Sequence, residues 1–148
     1  MPKAYAIIRD DLNILVGSGG NVGNPPAART GLHLPGGSHP WGESALNGTL
    51  REIAEETGIA LSAQDSLATF TLTLNHRQVT FVVFEVFDLA SSIAGRNPPP
   101  ITDVHDEPFA NVAMLPITNC AANAGFSALH GTDWFAAGLN HARAHGHI

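Results

Sequence analysis

The sequence predicts an α/β protein in which a mixed β-sheet is flanked by helices. β-branched and apolar runs occur before and after one strongly periodic helical segment, and an Ala-rich segment near the C-terminus is typical of a closing helix. Strands on either side of one helix, with a second helix at the end, favour a sheet that carries helices on both faces.

The elements are predicted in this order: strands at residues 4–9 and 13–16, a loop at 17–31, an extended segment at 32–34, a helix at 44–57, strands at 67–74 and 79–87, a loop at 95–108, a strand at 111–115 and a helix at 132–145. The first two strands are apolar and flank Asp10-Asp11, which predicts a hairpin. The loop at 17–31 is rich in Gly, Asn and Pro. Loops of this length are usually functional, so we expect it to form part of a specificity pocket.

Turn and loop residues also mark the limits of the later elements. Asn75-His76-Arg77 separates two β-rich runs and predicts a turn between the strands. The loop at 95–108 contains three consecutive prolines and four ionisable residues, namely Asp103, His105, Asp106 and Glu107. This composition predicts a second surface loop with room for function.

Length and composition limit the class of protein. The 148 residues are a usual length for one domain, and we expect residues 1–148 to form a single one. No apolar run approaches the roughly 20 residues that a membrane span needs, and the N-terminus lacks the apolar region of a signal peptide. The lone cysteine, Cys120, cannot form an internal disulfide. We therefore expect a soluble, cytoplasmic protein without a membrane partner.

The formal net charge is −6. This charge repels a phosphate backbone at long range and argues against binding to nucleic acid polymers. An anionic small-molecule substrate would need a metal ion to help hold it.

The helix at residues 44–57 has well-marked limits. Ser44 can cap its N-terminus, and Gly58 followed by Ile59 suits a Schellman ending. An apolar stripe, predicted to face the sheet, consists of Leu46, Leu50, Ile53 and Thr57.

Three glutamates share another face of this helix. Glu52, Glu55 and Glu56 have i, i+3 and i+4 spacing, which brings their carboxylates together. Carboxylate oxygens are typical ligands of Mg²⁺. For three glutamates alone, a solvated acidic helix face is the more common explanation.

Residues 37–59 resemble the Nudix box at each of its constrained positions, which are here Gly37, Glu43, Arg51, Glu52, Ile53, Glu55, Glu56, Gly58 and Ile59. So many identities at fixed spacing outweigh the solvated-face explanation. Outside the box, only the order of strands supports the resemblance.

The resemblance implies the α/β/α sandwich of Nudix hydrolases and a site for Mg²⁺, with Mn²⁺ as an alternative. It makes metal ligands of Glu52, Glu55 and Glu56 and of the main-chain carbonyl of Gly36. The adjacent glycine, Gly37, would help the backbone to approach metal and phosphate closely.

Gly37, Glu43, Arg51 and Gly58 are assigned to structural support of the site. The family resemblance implies that Arg51 and Glu43 brace the loop and helix rather than take part in chemistry.

The implied reaction is hydrolysis of a phosphoanhydride bond in a nucleoside diphosphate linked to another moiety. Metal would neutralise the diphosphate and activate water, and a carboxylate would remove the proton. Glu52 or Glu55 could be this base, whereas some family members use an acid on a later loop. Of the acids on the loop at 95–108 we favour Glu107, although a solvated loop charge is the more common explanation.

Three residues outside the box are candidates for substrate binding, namely Arg9, Arg29 and His33. Each also has a structural explanation, because a histidine at a strand edge and arginines near a sheet usually have structural roles. The i, i+4 pair of His141 and His145 could hold a metal, but we expect it to lie on a solvated helix face.

The sequence leaves the substrate open and allows two other functions. Residues 74–77 contain neither the proline of ADP-ribose pyrophosphatases nor the tyrosine of diadenosine polyphosphate hydrolases. One alternative is a non-hydrolytic nucleotide-binding or regulatory module, for which the full set of carboxylates would be unnecessary. The other is an isoprenoid diphosphate isomerase, whose cysteine near the box is missing here. A homodimer is left open.

Overall fold

The computed structural model describes residues 1–23, 25–100, 108–120, 125–128 and 133–148. The strands and helices are β1 (Lys3–Arg9), β2 (Asn13–Ser18), β3 (Asn21–Val22), β4 (Ala27–Ala28), β5 (Gly36–Ser38), α1 (Ala45–Thr57), β6 (Ser66–Leu74), β7 (Arg77–Glu85), α2 (Leu89–Ala94), β8 (Asn111–Pro116), α3 (Ile117–Cys120) and α4 (Trp134–Ala144). A single 3₁₀ turn, Ala63–Asp65, precedes β6.

β1 lies at the centre of a mixed sheet with the strand order β6-β7-β1-β2-β8. β1 is parallel to β7 and antiparallel to β2, which confirms the predicted N-terminal hairpin. β5 pairs antiparallel with the first residues of β1, so that Tyr5 lies opposite Gly36 and Ala4 opposite Gly37. The two glycines therefore belong to a strand, an element that the sequence did not predict for these residues.

The sheet buries a hydrophobic core on each face. On one face, Ile53 and Ile59 pack with β1 residues Ala6 and Ile8. On the other face, the α4 residues Trp134, Phe135 and Leu139 pack with the β1 residues Tyr5 and Ile7. Successive side chains of a strand point to opposite faces, so β1 contributes to both cores. The predicted mixed sheet flanked by helices is confirmed.

α1 begins and ends where the sequence predicts. The Ser44 hydroxyl accepts a hydrogen bond from the Asn47 amide at 3.1 Å, and Gly58 adopts a left-handed conformation with φ of 73°. The Ile59 amide donates to the side-chain oxygen Oγ1 of Thr57 at 3.1 Å. In the predicted Schellman motif this amide would donate to a backbone carbonyl of the last helical turn instead. Ile53 and Thr57 of the apolar stripe are fully buried against the sheet.

Several short elements were not predicted. The predicted loop at 17–31 contains the end of β2 and the β3–β4 hairpin. α2 and α3 contain six and four residues, which is too short for helical periodicity to be recognised. Residues 101–107 of the predicted loop at 95–108 lie outside the described residues. In the described part of the chain, no helix combines the length and apolar character that crossing a membrane requires.

Asp10 joins the β1–β2 turn to α2. Its Oδ1 accepts hydrogen bonds from the amides of Leu12 at 2.9 Å and Asn13 at 2.8 Å, and its Oδ2 accepts one from Leu89 at 3.0 Å. Burial acts to raise the pKa of Asp10, but these backbone donors and Arg9 outweigh it and lower the pKa below its ordinary value. The ionised carboxylate is therefore the form that the fold stabilises.

We expect Asp10→Asn to lower the free energy of unfolding by about 1–3 kcal/mol at neutral pH, since an amide cannot accept on both sides. Because the folded-state pKa is lowered, this contribution is complete above the ordinary value of about 3.9 and is lost as pH falls through the folded-state value. Urea unfolding should show a smaller difference from wild type near pH 3 than at neutral pH. Asp11→Asn, at an exposed neighbour, is the control; an equal loss in both variants would contradict the role of Asp10.

Candidate functional site

A cavity of about 870 Å³ lies where α1, β5 and the first residues of β1 meet. One wall is formed by the three glutamates of α1, which are Glu52, Glu55 and Glu56. Gly36 and Gly37 of β5 form a second wall, and Pro99, Pro100 and Pro108 also line the cavity. The structure thus brings the predicted acidic helix face and the predicted glycine pair together in one cavity.

Glu56 is the most enclosed of the three glutamates, with 11% of its side chain exposed. Its Oε1 accepts a hydrogen bond from the Gly36 amide at 2.7 Å, and its Oε2 accepts one from Arg29 Nη2 at 3.2 Å. Glu56 therefore ties α1 both to β5 and to the segment that follows β4. The sequence predicted the carboxylate but not either of these partners.

Arg29 is almost completely buried, with 2% of its side chain exposed. Its Nη1 donates to the Gly19 carbonyl at 3.0 Å, and its guanidinium lies 4.8 Å from the centre of the Phe109 ring. A Cβ at Gly20 would lie 2.5 Å from the Pro108 carbonyl oxygen and 2.7 Å from Arg29 Nη1, so glycine at this position leaves space beside the arginine. These contacts hold the guanidinium group of Arg29 at the cavity wall.

Arg51 interacts with the other two glutamates and with Glu43. It donates to both Glu43 oxygens at 3.0 and 3.2 Å, and its Nη1 lies 3.2 Å from Glu52 Oε1 and 3.4 Å from Glu55 Oε2. The hydrogen bonds with Arg51 lower the pKa of Glu43, and those with Glu43 raise the pKa of Arg51. These contacts join the loop before α1 to the middle of the helix.

Tyr5 is a cavity residue that the sequence analysis missed. Its ring is buried between Phe81 and Phe135, and burial raises the pKa of the phenol, with further contributions from Glu56 and Glu52. The hydroxyl therefore remains a neutral hydrogen-bond donor throughout the ordinary pH range. No signal in the sequence pointed to Tyr5, because its proximity to the glutamates results from the pairing of β1 with β5.

The remaining candidates occupy different places. His33 lines the cavity beside Phe135, and its Nε2 lies 3.1 Å from the Thr30 carbonyl. Burial lowers the pKa of His33, which favours the neutral imidazole.

Arg9 pairs with Glu85 at 3.8 Å and is not among the described residues that line the cavity. Glu107, the candidate base on the second loop, lies outside the described residues.

The carboxylates of α1 do not converge on one point in this structure. Among the described residues, no three His, Cys, Asp or Glu side chains are grouped closely enough to hold a metal ion. The contacts account for this, because Glu52 and Glu55 turn towards Arg51 while Glu56 turns towards Arg29.

The donor chemistry nevertheless fits a hard divalent cation. All three side chains offer carboxylate oxygens on one helix face, and the guanidinium groups of Arg29 and Arg51 offset only part of the negative charge of these glutamates and Glu43. Glycine at position 37 keeps the approach open, since a Cβ there would lie 3.6 Å from Glu52 Oε1. A cation can therefore reach this face if the carboxylates rotate away from the arginines.

Solved structures of Nudix hydrolases share this fold. The MutT protein from Methanosarcina mazei Go1 matches with a TM-score of 0.59 at 20% identity, over 100% of this chain and 96% of its own. An Ap4A hydrolase from C. elegans matches with a TM-score of 0.58 at 15% identity, over 98% of each chain. A Nudix hydrolase from M. smegmatis matches with a TM-score of 0.61 at 14% identity, over 99% of this chain and 86% of its own.

No protein-family model matches the sequence, and no curated protein is significantly similar to it. At 14–20% identity the structural likeness concerns the fold alone. The predicted α/β/α fold of Nudix hydrolases is thereby confirmed.

Proposed function

We propose that this chain is a metal-dependent hydrolase that cleaves a phosphoanhydride bond in a nucleoside diphosphate linked to another moiety. The observation that carries the proposal is the meeting of Glu52, Glu55 and Glu56 with the glycine strand at one cavity. The cavity volume of about 870 Å³ lies in the range of clefts that bind nucleotide-sized molecules. The Ap4A hydrolase among the structural neighbours acts, by its name, on a molecule of the proposed class.

In this proposal Glu52, Glu55 and Glu56, with the Gly36 carbonyl, hold Mg²⁺ or alternatively Mn²⁺. The ion would supply positive charge that neutralises the diphosphate and polarises its phosphorus–oxygen bonds.

The chain's own cations complete the binding site. Lys3, Arg29 and Arg51 line the same cavity as the glutamates and give it positive charge. This arrangement offsets the repulsion between an acidic protein and an anionic substrate. Tyr5 and His33 add neutral polar groups that could orient the remainder of the substrate.

The proton of the attacking water needs a carboxylate base. Glu55 has 54% of its side chain exposed and shares Arg51 with Glu52, so either group can turn towards water without leaving a buried charge unpaired. We therefore propose Glu52 or Glu55 as the base, with Glu107 as the candidate from the second loop. Arg51 and Glu43 position these carboxylates through their paired hydrogen bonds.

The test is release of phosphate and nucleotide from four classes of compound: nucleoside triphosphates, dinucleoside polyphosphates, nucleotide sugars and dinucleotide cofactors. We expect turnover of one class with Mg²⁺ and none with EDTA, and the product pattern would identify the bond that is cleaved. Binding of a nucleotide without turnover by the folded, Mg²⁺-loaded protein would instead support the non-hydrolytic module.

A further inference from the structure

We propose that Arg29 exchanges partners within the site: it neutralises Glu56 in the metal-free protein and the substrate's phosphate once a divalent cation is bound. This inference rests on the proposed function and adds a residue that couples metal binding to substrate binding. The partner that it predicts is a diphosphate group rather than a base or sugar.

Arg29 is a buried cation. A buried charge is costly unless it is paired, so a guanidinium with 2% of its side chain exposed needs an anion in every state of the site. In the structure that anion is Glu56, at 3.2 Å. Any cation that binds Glu56 weakens this pairing.

Contacts other than the pair with Glu56 fix the position of Arg29. Its contacts with the Gly19 carbonyl and the Phe109 ring keep the guanidinium at the cavity wall, while Nη2 remains directed at Glu56. The side chain therefore stays near the glutamate when the pairing weakens. The anion that enters this cavity with the metal is the diphosphate, and the planar arginine fork binds phosphate oxygens well.

Arg51 differs from Arg29 in its burial and in the partners that it has. It has 37% of its side chain exposed and keeps Glu43 as a partner when Glu52 or Glu55 turns away. Loss of those contacts leaves no buried cation unpaired. Of these two arginines, Arg29 is therefore the one whose pairing with Glu56 should oppose binding of metal alone and favour binding of metal together with diphosphate.

Calorimetric titration with Mg²⁺ alone tests the first half of the exchange. Arg29→Met removes the competing cation, so we expect the variant to bind Mg²⁺ about fivefold or more tightly than wild type, at the lower end of usual coupling between sites. Mg²⁺ should also raise the melting temperature of the variant more than that of wild type. Arg143→Met, which removes an exposed arginine on α4 that contacts the Ile117 and Thr118 carbonyls, should leave Mg²⁺ affinity unchanged.

Methylenediphosphonate, an analogue of diphosphate whose P–C–P bridge cannot be hydrolysed, tests the second half at saturating free Mg²⁺. We expect Arg29→Met to bind it about tenfold more weakly than wild type, because one charged partner is missing. If Arg29→Met does not fold without metal, Arg29→Lys is measured instead. It keeps the charge, so its Mg²⁺ affinity should match wild type while its diphosphonate binding weakens.

Two results would overturn the exchange. One is Mg²⁺ affinity in Arg29→Met that equals or falls below wild type, which would make Arg29 only a brace for Glu56. The other is diphosphonate binding that neither Arg29 variant weakens. If wild type hydrolyses its substrate with Mg²⁺ and either result is found, the proposed function stands and only the exchange is wrong; if wild type binds no Mg²⁺, both are wrong.

Discussion

Glu56→Gln is expected to lower kcat by at least about a hundredfold, equivalent to roughly 2.7 kcal/mol of activation free energy. Glu56 lies between the Gly36 amide and Arg29, and its charge balances the buried guanidinium. Under the proposed function the same charge binds the metal. Glutamine keeps the shape of the side chain but supplies no charge. Steady-state rates at saturating Mg²⁺, on the compound identified by the panel, measure the effect.

The same substitution should also reduce stability, because it leaves Arg29 buried beside a neutral amide. Circular dichroism at the assay temperature must therefore show that the variant is folded. Glu85→Gln is the matched control, since Glu85 also pairs with an arginine, Arg9, but does not line the cavity. Near-normal turnover by folded Glu56→Gln would exclude Glu56 as a metal ligand.

Gly36→Ala is expected to lower the free energy of unfolding by roughly 2–5 kcal/mol and to abolish activity, because backbone strain and overpacking act together. Gly36 has φ of 147°, and an added Cβ would lie 2.2 Å from the Ala4 carbonyl oxygen and 2.6 Å from the Tyr5 Cα. These atoms belong to β1, so β5 would have to separate from the sheet. The Gly36 amide would then lose its position on Glu56.

Urea unfolding compares this variant with Gly146→Ala. Gly146 also has a positive φ, 73°, but nothing lies within 4 Å of an added Cβ, so only the conformational cost of about 1–2 kcal/mol is expected there. Equal losses in the two variants would show that the close contact between β5 and β1 does not matter. A stable but inactive Gly36→Ala would show that its effect is on the site alone.

Features of the molecule that depend on near neighbours along the chain could be predicted from the sequence. Ser44 and Gly58 mark the ends of α1, and helical spacing brings Glu52, Glu55 and Glu56 to one face. These features follow from hydrogen bonds and side-chain geometry within a few residues. The N-terminal hairpin and the closing helix could be predicted for the same reason.

The partners of Glu56, unlike those of Glu52 and Glu55, are set by tertiary packing. Arg29 is 27 residues from Glu56, and Gly36 is 20 residues from it, so no local pattern relates them. Tyr5 comes near the glutamates because β5 pairs with β1, although β5 contains only three residues and two of them are glycines. Such contacts depend on how distant segments pack, and packing is set by the whole core rather than by the residues that finally meet.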